Sequence, residues 1–292
     1  MKKLAIILSC LIIALSVQGQ KKKEIKTDKI KSITVWAAEN KKGKTVTYKD
    51  SYEEFDQNGN SVLKIEYNKK GIIKHKETSK YDASGKKTEE TEFDLKESKN
   101  VKRTYQYNGN VKTDCVEYDS SGTLIKKITY SYDANGKKTG ETVTDAIGNL
   151  SKKIIEEYDK NGKKTSRTET GKDGSIKHKE TETYDANGKV SEETEFDLKD
   201  NMNVKRTYKY DAYNDKTEEV EYNNTNGTVI KKTKYAYNAD GERTSEIISD
   251  ATGAVAKKIF YTYNSKKLKE TKQTYNAAGF IEVGKKYIYE YY

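Results

Sequence analysis

The sequence predicts an all-β fold, a long antiparallel β-meander of about 17 to 19 short strands in a single-layer or solenoid-like repeat sheet. Three observations support this prediction. Turn-forming glycines recur mostly every 12 to 14 residues, the segments between them alternate in polarity, and a block of roughly a hundred residues occurs twice. Because the segments between turns are too short for a crossover helix, neighbouring strands are expected to be antiparallel.

The chain begins with the features of a secretory signal peptide at residues 1–19. Lys2 precedes an apolar run from Leu4 to Leu15, and small residues lie just before Gln20, the expected start of the mature chain. A membrane anchor is the alternative, but this run is shorter than the ~20 residues needed to span a bilayer. Cys10 loosely resembles a lipoprotein acceptor site. The protein is therefore expected to be exported, and periplasmic, cell-surface or secreted.

Composition narrows the class of protein. The 292 residues include 56 Lys and Arg, 46 Asp and Glu and no proline, and only 33% are hydrophobic. The charges of both signs are interspersed, as in Lys86–Glu90, so no dense basic face of the kind that binds nucleic acid is expected. After signal cleavage only Cys115 remains, so the mature chain has no disulfide of its own.

Internal repetition dominates the sequence. The segment Gly71–Thr78 returns as Gly174–Thr181, and Asn100–Tyr105 returns as Asn203–Tyr208, both at an offset of 103 residues. The predicted organisation is a signal peptide (1–19), a flexible basic lead-in (20–42) and a β-repeat array (43–292), in which duplicated blocks of about 55–157 and 158–262 are followed by C-terminal closing strands (263–292).

The segments between turns have the two-residue period of strands. In Leu124–Tyr132, one face carries leucine, lysine, isoleucine and two tyrosines, and the other carries isoleucine, lysine, threonine and serine. The turn Asp133–Lys137 follows this segment. Its aspartate is expected to cap the next amides, and Gly136 to adopt the left-handed conformation. Where glycine is missing, Asp200–Asn203 and Asn214-Asp215 are expected to form the turns.

Every second strand is nearly devoid of aliphatic residues. Lys163–Gly171 carries threonine, arginine, lysine and glutamate on its two faces, which a β-sandwich cannot bury. Stability is therefore expected from ladder hydrogen bonds and cross-strand pairs, in a single-layer sheet with only local cores. An outer-membrane barrel is the main alternative, but its lipid-facing side would need an apolar band on each strand. The aromatic end Tyr287–Tyr292 is interpreted as the closing strand.

A motif recurs at the turns and supports a family resemblance. The unit Tyr-Asp-x-x-Gly-Lys occurs at Tyr81–Lys86, Tyr132–Lys137, Tyr158–Lys163 and Tyr184–Lys189. It resembles the YD repeat of RHS-type bacterial proteins, and the resemblance covers roughly residues 43 to 285. It implies long spiralling β-sheets that wrap a shell or serve as cell-surface modules. The usual arginine after the glycine is lysine here, and no toxin domain follows Tyr292, so toxin delivery is not implied.

Residues that could carry catalysis are few. His75 and His178 occupy equivalent positions in the two blocks, and they are interpreted as exposed strand residues copied together; a metal bound across the duplication is the alternative. Cys115 has no histidine nearby to activate it. The turn aspartates could suggest calcium, but the distal bidentate glutamate of a calcium loop is missing. The sequence therefore predicts a protein that is not an enzyme and has no cofactor or metal.

Tyrosine is the most informative residue type, because pairs two residues apart should place their rings on one face. Aromatic ladders that clamp the sheet are one interpretation, and a stacking surface for a ligand is the other. The candidate binding residues are Tyr105, Tyr107, Tyr130, Tyr132, Tyr208, Tyr210, Tyr235, Tyr237, Tyr261 and Tyr263.

Two functions follow from this surface. The first is a non-enzymatic scaffold or binding protein of the cell envelope, whose partner is a cell-surface glycan or another protein. The alternative is an immunity-type protein that captures a toxin, since repeats in some bacterial immunity proteins of the MORN-variant sort look similar, although they match less well. Neither a nucleic-acid partner nor a transmembrane segment after signal cleavage is expected.

Overall fold

The computed structural model describes residues 22–41 and 44–292, and strands make up most of them. Twenty strands follow a helical turn at residues 22–27. They are β1 (Ile30–Lys41), β2 (Lys44–Phe55), β3 (Ser61–Tyr67), β4 (Ile73–Tyr81), β5 (Lys87–Asp94), β6 (Lys99–Asn108), β7 (Val111–Asp119), β8 (Leu124–Tyr132), β9 (Lys138–Asp145), β10 (Leu150–Tyr158), β11 (Lys164–Gly171), β12 (Ile176–Tyr184), β13 (Val190–Asp197), β14 (Met202–Tyr210), β15 (Lys216–Asn223), β16 (Val229–Tyr237), β17 (Arg243–Asp250), β18 (Val255–Tyr263), β19 (Lys269–Asn276) and β20 (Ile281–Tyr291). All pairings are antiparallel between neighbours, which confirms the predicted meander.

The turn after β8 shows how the hairpins form. The Asp133 carboxylate accepts hydrogen bonds from the amides of Asn135 and Lys137, each at 2.9 Å. The Gly136 amide donates to the Asp133 carbonyl at 3.0 Å, and Gly136 has a φ of 77°, which costs glycine little. In the turn after β14, Asn214 takes the same place with a φ of 66°. The predicted turn chemistry and the glycine-free turn at Asn214 are confirmed, but the turn predicted at Asp200–Asn203 lies at residues 198–201, because Met202 and Asn203 already belong to β14.

A β-bulge interrupts the pairing just before the end of most even-numbered strands. The register shifts between Ser131 and Tyr132 in the β8–β9 pair, and the same shift precedes the terminal aromatic residue from β2 to β18. Further shifts lie near the opposite ends, for example between Glu117 and Tyr118. Since bulges increase the right-handed twist of a sheet and bend its strands, their regular repetition curves the sheet.

The sheet closes on itself. The first strand, β1, pairs with β2 on one side and with β20 on the other, so that Thr34 lies opposite both Tyr52 and Ile288. The predicted meander is present, but its description as a single-layer or solenoid-like sheet is wrong: the strands close into a 20-stranded barrel. The aromatic end was interpreted as the closing strand, and this is confirmed: residues 287–291 belong to β20, which pairs with β1 at the seam. The curvature depends on the bulges, which the alternation of polarity does not reveal.

The two faces of the barrel differ in exposure. In β8, the residues that share a face with Tyr130 and Tyr132 are half-buried and the intervening ones are exposed. The buried apolar strand residues Cys115, Val143 and Ile154 lie on this same face, which we call the tyrosine face. Side chains converge on the concave side of a closed sheet and diverge on the convex side, so the tyrosine face is the concave one.

The N-terminal region is more structured than the sequence predicted. Residues 20–42 were expected to be a flexible lead-in, but residues 22–41 contain the helical turn and the whole of β1. Ile25 and Ile30 pack with Phe55 and Leu268 in a buried apolar cluster at one end of the barrel. The array therefore begins at Ile30, which also explains why twenty strands are found instead of 17 to 19.

The predicted signal peptide 1–19 and the Cys10 lipidation site lie outside the described residues. Within 22–41 and 44–292, no helix has the length and apolar character required to cross a membrane.

Closure of the barrel predicts a specific cross-link. Replacing Thr34 and Ile288 with cysteine, with both native cysteines changed to serine, places two thiols directly opposite each other across the seam. Opposed strand positions lie within the Cα separation that a disulfide tolerates. We expect an intramolecular disulfide on mild oxidation, detected as a mobility shift on non-reducing electrophoresis and by mass spectrometry. The matched pair Thr34→Cys and Thr129→Cys, seven strands apart, should form no such bond; absence of the seam disulfide would contradict closure.

Candidate functional site: the tyrosine face

The tyrosines of the concave face fall into two groups with different contacts. The first group stands at or near the ends of the even-numbered strands, 25 to 27 residues apart, and we call its members clamp tyrosines. The second group stands two residues earlier, and we call its members inner tyrosines. The ten predicted binding residues divide equally between the two groups.

Each clamp tyrosine ties together the open end of one hairpin. The Tyr132 hydroxyl of β8 donates to the Lys112 carbonyl at the start of β7, at 2.6 Å. Equivalent bonds of 2.6 to 3.0 Å join Tyr81 to Ser61, Tyr107 to Lys87, Tyr158 to Lys138, Tyr184 to Lys164, Tyr210 to Val190, Tyr237 to Lys216, Tyr263 to Arg243 and Tyr289 to Lys269. From β4 to β18, the bulge before each clamp tyrosine re-aims its side chain over the neighbouring strand; Tyr289 makes the same bond without one.

The clamp hydroxyls are held in the protonated, donating form. Burial and a hydrogen bond to Glu156 raise the pKa of Tyr158 to about 12. Burial likewise raises the pKa of Tyr107, Tyr132 and Tyr210. A neutral phenol is therefore the donor at every physiological pH.

The inner tyrosines contact lysine side chains of the odd-numbered strands. The Lys112 ammonium lies 5.1 Å from the ring centre of Tyr105 and 4.6 Å from that of Tyr130. In the second block, Lys216 lies 4.6 Å from Tyr208 and 5.3 Å from Tyr235. These are cation–π distances. Lys269 is placed similarly, 4.7 Å from Tyr261 and 5.8 Å from Tyr287. In these three places a lysine therefore lies between two inner tyrosine rings of neighbouring hairpins.

The predicted tyrosines do share one face, but their roles differ. The clamp members Tyr107, Tyr132, Tyr210, Tyr237 and Tyr263 already use their hydroxyls to bind the sheet. Tyr105, Tyr130, Tyr208, Tyr235 and Tyr261 line the wall between them. Whether any of these residues binds a ligand stays a prediction. The lysine partners were not predicted from the sequence, although the odd-numbered strands often begin with lysine, and neither was the 26-residue period of the clamp tyrosines.

Carboxylates and arginines form a second feature of the concave wall. Arg103 of β6 donates from Nε to Glu117 at 2.7 Å and from Nη2 to Glu92 at 2.6 Å, and it also contacts Glu90. Its counterpart in the second block, Arg206, contacts Glu193, Glu195 and Glu221 at 2.7 to 2.9 Å. Each arginine thus joins three strands through charge-assisted hydrogen bonds.

The two arginine clusters differ in the direction in which the pKa of an equivalent glutamate is shifted. Burial opposes ionisation of Glu90, but hydrogen bonds from Lys87 and Arg103 outweigh it and lower the pKa. At the equivalent Glu193, burial dominates and raises the pKa despite Arg206. Val190 stands where the first block has Lys87. The loss of one lysine therefore leaves the second cluster short of positive charge.

The histidines lie on the same face as these clusters and are half-buried, so their interpretation as exposed residues is wrong. His75 Nδ1 lies 3.3 Å from Asp94 and His178 Nδ1 lies 3.0 Å from Asp197, each across a strand pair of the concave face. Burial alone would lower the pKa of His178, but hydrogen bonds to Glu180 and Asp197 raise it. Strands β4 and β12 are eight strand spacings of about 4.8 Å apart around the sheet, with seven strands between them, so a metal shared by both histidines is excluded.

The remaining candidates have structural explanations. Cys115 is buried, and burial raises the pKa of its thiol, the opposite of what a catalytic thiolate needs. The turn aspartates, such as Asp133, accept backbone amide hydrogen bonds as caps.

The chain resembles known proteins only distantly. No protein-family model and no curated protein matches the chain. Among solved structures, a porin-like protein from Bacteroides uniformis is 13% identical, with a TM-score of 0.38, and the match covers 89% of this chain and 98% of that one. The Photorhabdus luminescens Tc holotoxin pore is 10% identical with a TM-score of 0.22, covering 87% of this chain and 18% of that one. Such scores indicate a distant, β-rich likeness that carries no conclusion about function.

The clamp predicts a measurable loss of stability. Changing Tyr132 to phenylalanine keeps the ring and removes the hydrogen bond to the Lys112 carbonyl. We expect the free energy of unfolding, measured by urea denaturation, to fall by about 1 kcal/mol. Tyr213→Phe, at a side chain that is 87% exposed, is the matched control and should leave stability unchanged. Equal stability of Tyr132→Phe and the parent protein would show that the clamp contributes nothing.

Proposed function

We propose that the protein is an exported, non-enzymatic binding protein of the cell envelope, and that its concave tyrosine face takes up a cell-surface glycan. The observation that carries the proposal is the composition of this wall: half-buried tyrosine rings alternate with lysine and glutamate side chains around a closed sheet. Aromatic rings accept the apolar faces of sugar rings, and charged side chains bind the hydroxyl groups, so the wall combines both contacts that a glycan requires.

The width of the barrel supports an enclosed ligand. Closed sheets of about sixteen or more strands leave an aqueous space inside, whereas sheets of about eight are filled by side chains. This sheet has twenty strands. Aromatic rings interspersed with charged side chains suit the sugar rings and hydroxyl groups of a glycan chain, which is why the glycan is proposed ahead of a toxin partner.

Exposed lysines on the convex face support the proposal that water, and not lipid, surrounds the barrel. Lys127, Lys153 and Lys258 are exposed halfway along β8, β10 and β18. Lysines in the middle of a lipid-facing strand would cost roughly 2 to 4 kcal/mol each. Export itself is proposed from the signal-like residues 1–19 of the sequence.

The inner tyrosines give the sharpest test of this function. The double variant Tyr208→Ala and Tyr235→Ala removes both rings that contact Lys216 and leaves the clamp hydroxyls in place. We expect binding to purified peptidoglycan, measured by co-sedimentation over a range of concentrations, to weaken roughly tenfold, as loss of about 1.4 kcal/mol of ring contact implies. Tyr213→Ala, in the exposed turn after β14, is the control and should bind normally.

Far-ultraviolet circular dichroism and thermal unfolding should establish that the double variant keeps the fold. Unchanged binding by a folded double variant would refute the proposed face. Failure of the parent protein to bind peptidoglycan or isolated surface polysaccharide would refute the glycan proposal, and tight binding of a secreted toxin, lost in the same variant, would favour the immunity-type alternative.

A further inference from the structure

A compact set of ligand-type side chains occupies the concave face of the second block. His178 and Glu180 lie on β12, and Glu195 lies on β13 directly opposite Glu180. One ligand atom from each of these three residues lies within 4.8 Å of the other two. Both glutamates are buried, with exposures of 4% and 7%. Buried carboxylates at such separations must be neutralised, by a nearby cation or by a proton.

The histidine ring is oriented by an aspartate. Asp197 contacts Nδ1 of His178 at 3.0 Å, and Nε2 lies 2.8 Å from a Glu180 oxygen. Metal-binding histidines characteristically have one ring nitrogen held by a carboxylate, which directs the other nitrogen to the ion. Asp197 therefore has the position of an orienting residue, and Nε2 faces the two glutamates.

The first block has the equivalent carboxylates, but there two lysine side chains neutralise them. Lys87 contacts Glu77, the counterpart of Glu180, at 3.3 Å, and Lys99 contacts Glu92, the counterpart of Glu195, at 2.9 Å. At the offset of 103 residues, Val190 replaces Lys87 and Met202 replaces Lys99. The second block thus retains both carboxylates and has lost the lysine that neutralised each of them.

Two further replacements complete the comparison. Glu182 stands in place of Ser79, and Lys164 stands in place of Ser61. Lys164 lies 3.6 Å from Glu182 and 4.0 Å from Glu180. Compared with the first cluster, the second has lost two lysines and gained one carboxylate and one lysine. Its net charge is therefore two units more negative. Arg206 is retained and contacts Glu195 at 2.7 Å.

We propose that His178, Glu180 and Glu195 form a site for a divalent metal ion of the zinc class, with Asp197 orienting the histidine and water completing the coordination. One imidazole and two carboxylates form a ligand set of the nitrogen and oxygen type that Zn²⁺ accepts. The site is specific to the second block, because lysines take the place of the ion in the first.

The test is calorimetric titration of the purified protein with Zn²⁺ alone at pH 7.5. We expect one equivalent to bind. His178→Gln should weaken binding by at least roughly tenfold, and Asp197→Asn by roughly 10- to 100-fold, the usual effect of losing an orienting partner. The matched variant His75→Gln, in the first block, should leave binding unchanged.

A second variant keeps every proposed ligand. Val190→Lys with Met202→Lys restores the lysines of the first block and should abolish the bound equivalent, while circular dichroism confirms an intact sheet. No Zn²⁺ binding by the parent protein, or binding that survives both His178→Gln and the lysine double variant, would overturn the proposal. If the His178→Gln variant does not fold, the Asp197→Asn variant and the lysine double variant still test the proposed metal site.

Discussion

The hydrogen bond from a clamp tyrosine to a backbone carbonyl about twenty residues earlier is the interaction on which the architecture depends. The bond joins the two strands of a hairpin at the end where no turn connects them. Tyr132, Tyr158 and Tyr184 make it in successive hairpins, and each stands immediately after a bulge. Because clamp and bulge recur together in the eight hairpins from β3–β4 to β17–β18, these hairpins have nearly the same twist, and the β1–β2 and β19–β20 hairpins complete the ring.

Within residues 22–41 and 44–292, the ring is stabilised without a large apolar core. The clearest buried apolar cluster, around Ile25, Phe55 and Leu268, lies where the N-terminal helical turn meets the end of the barrel. Phe55 occupies the clamp position of the first hairpin but has no hydroxyl; instead, Tyr292 donates to its carbonyl across the seam. Elsewhere, lysine–tyrosine contacts and arginine–glutamate clusters fill the concave face, so that each strand depends mainly on its immediate neighbours.

Much of this could be predicted from sequence, because the information is local. The alternation in Leu124–Tyr132 and the turn at Asp133–Lys137 depend on residues within a few positions of one another, and both were predicted correctly. Closure could not be predicted in this way, since it depends on twist summed over twenty strands. The apolar alternation in Ile33, Val35 and Ala37 could have revealed β1, but the basic residues before it suggested a tail.

The candidate site was less predictable than the fold. Alternation placed the ten tyrosines on one face, but the hydroxyl partners lie about twenty residues away, and register alone identifies them. The same applies to His178: it looks like His75 in sequence, and only the strand pairing shows that its carboxylate neighbours have lost the lysines that accompany them in the first block.

Amide hydrogen exchange at the seam tests the closed barrel most directly. An open sheet exposes the outward-facing amides of its first and last strands, whereas a closed sheet has no edge. With β1 paired to both β2 and β20, we predict that amides along Val35–Glu39 and Val283–Tyr287 exchange as slowly as those in the centre of β10. Fast exchange at alternate amides of both segments, with β10 protected, would contradict the account.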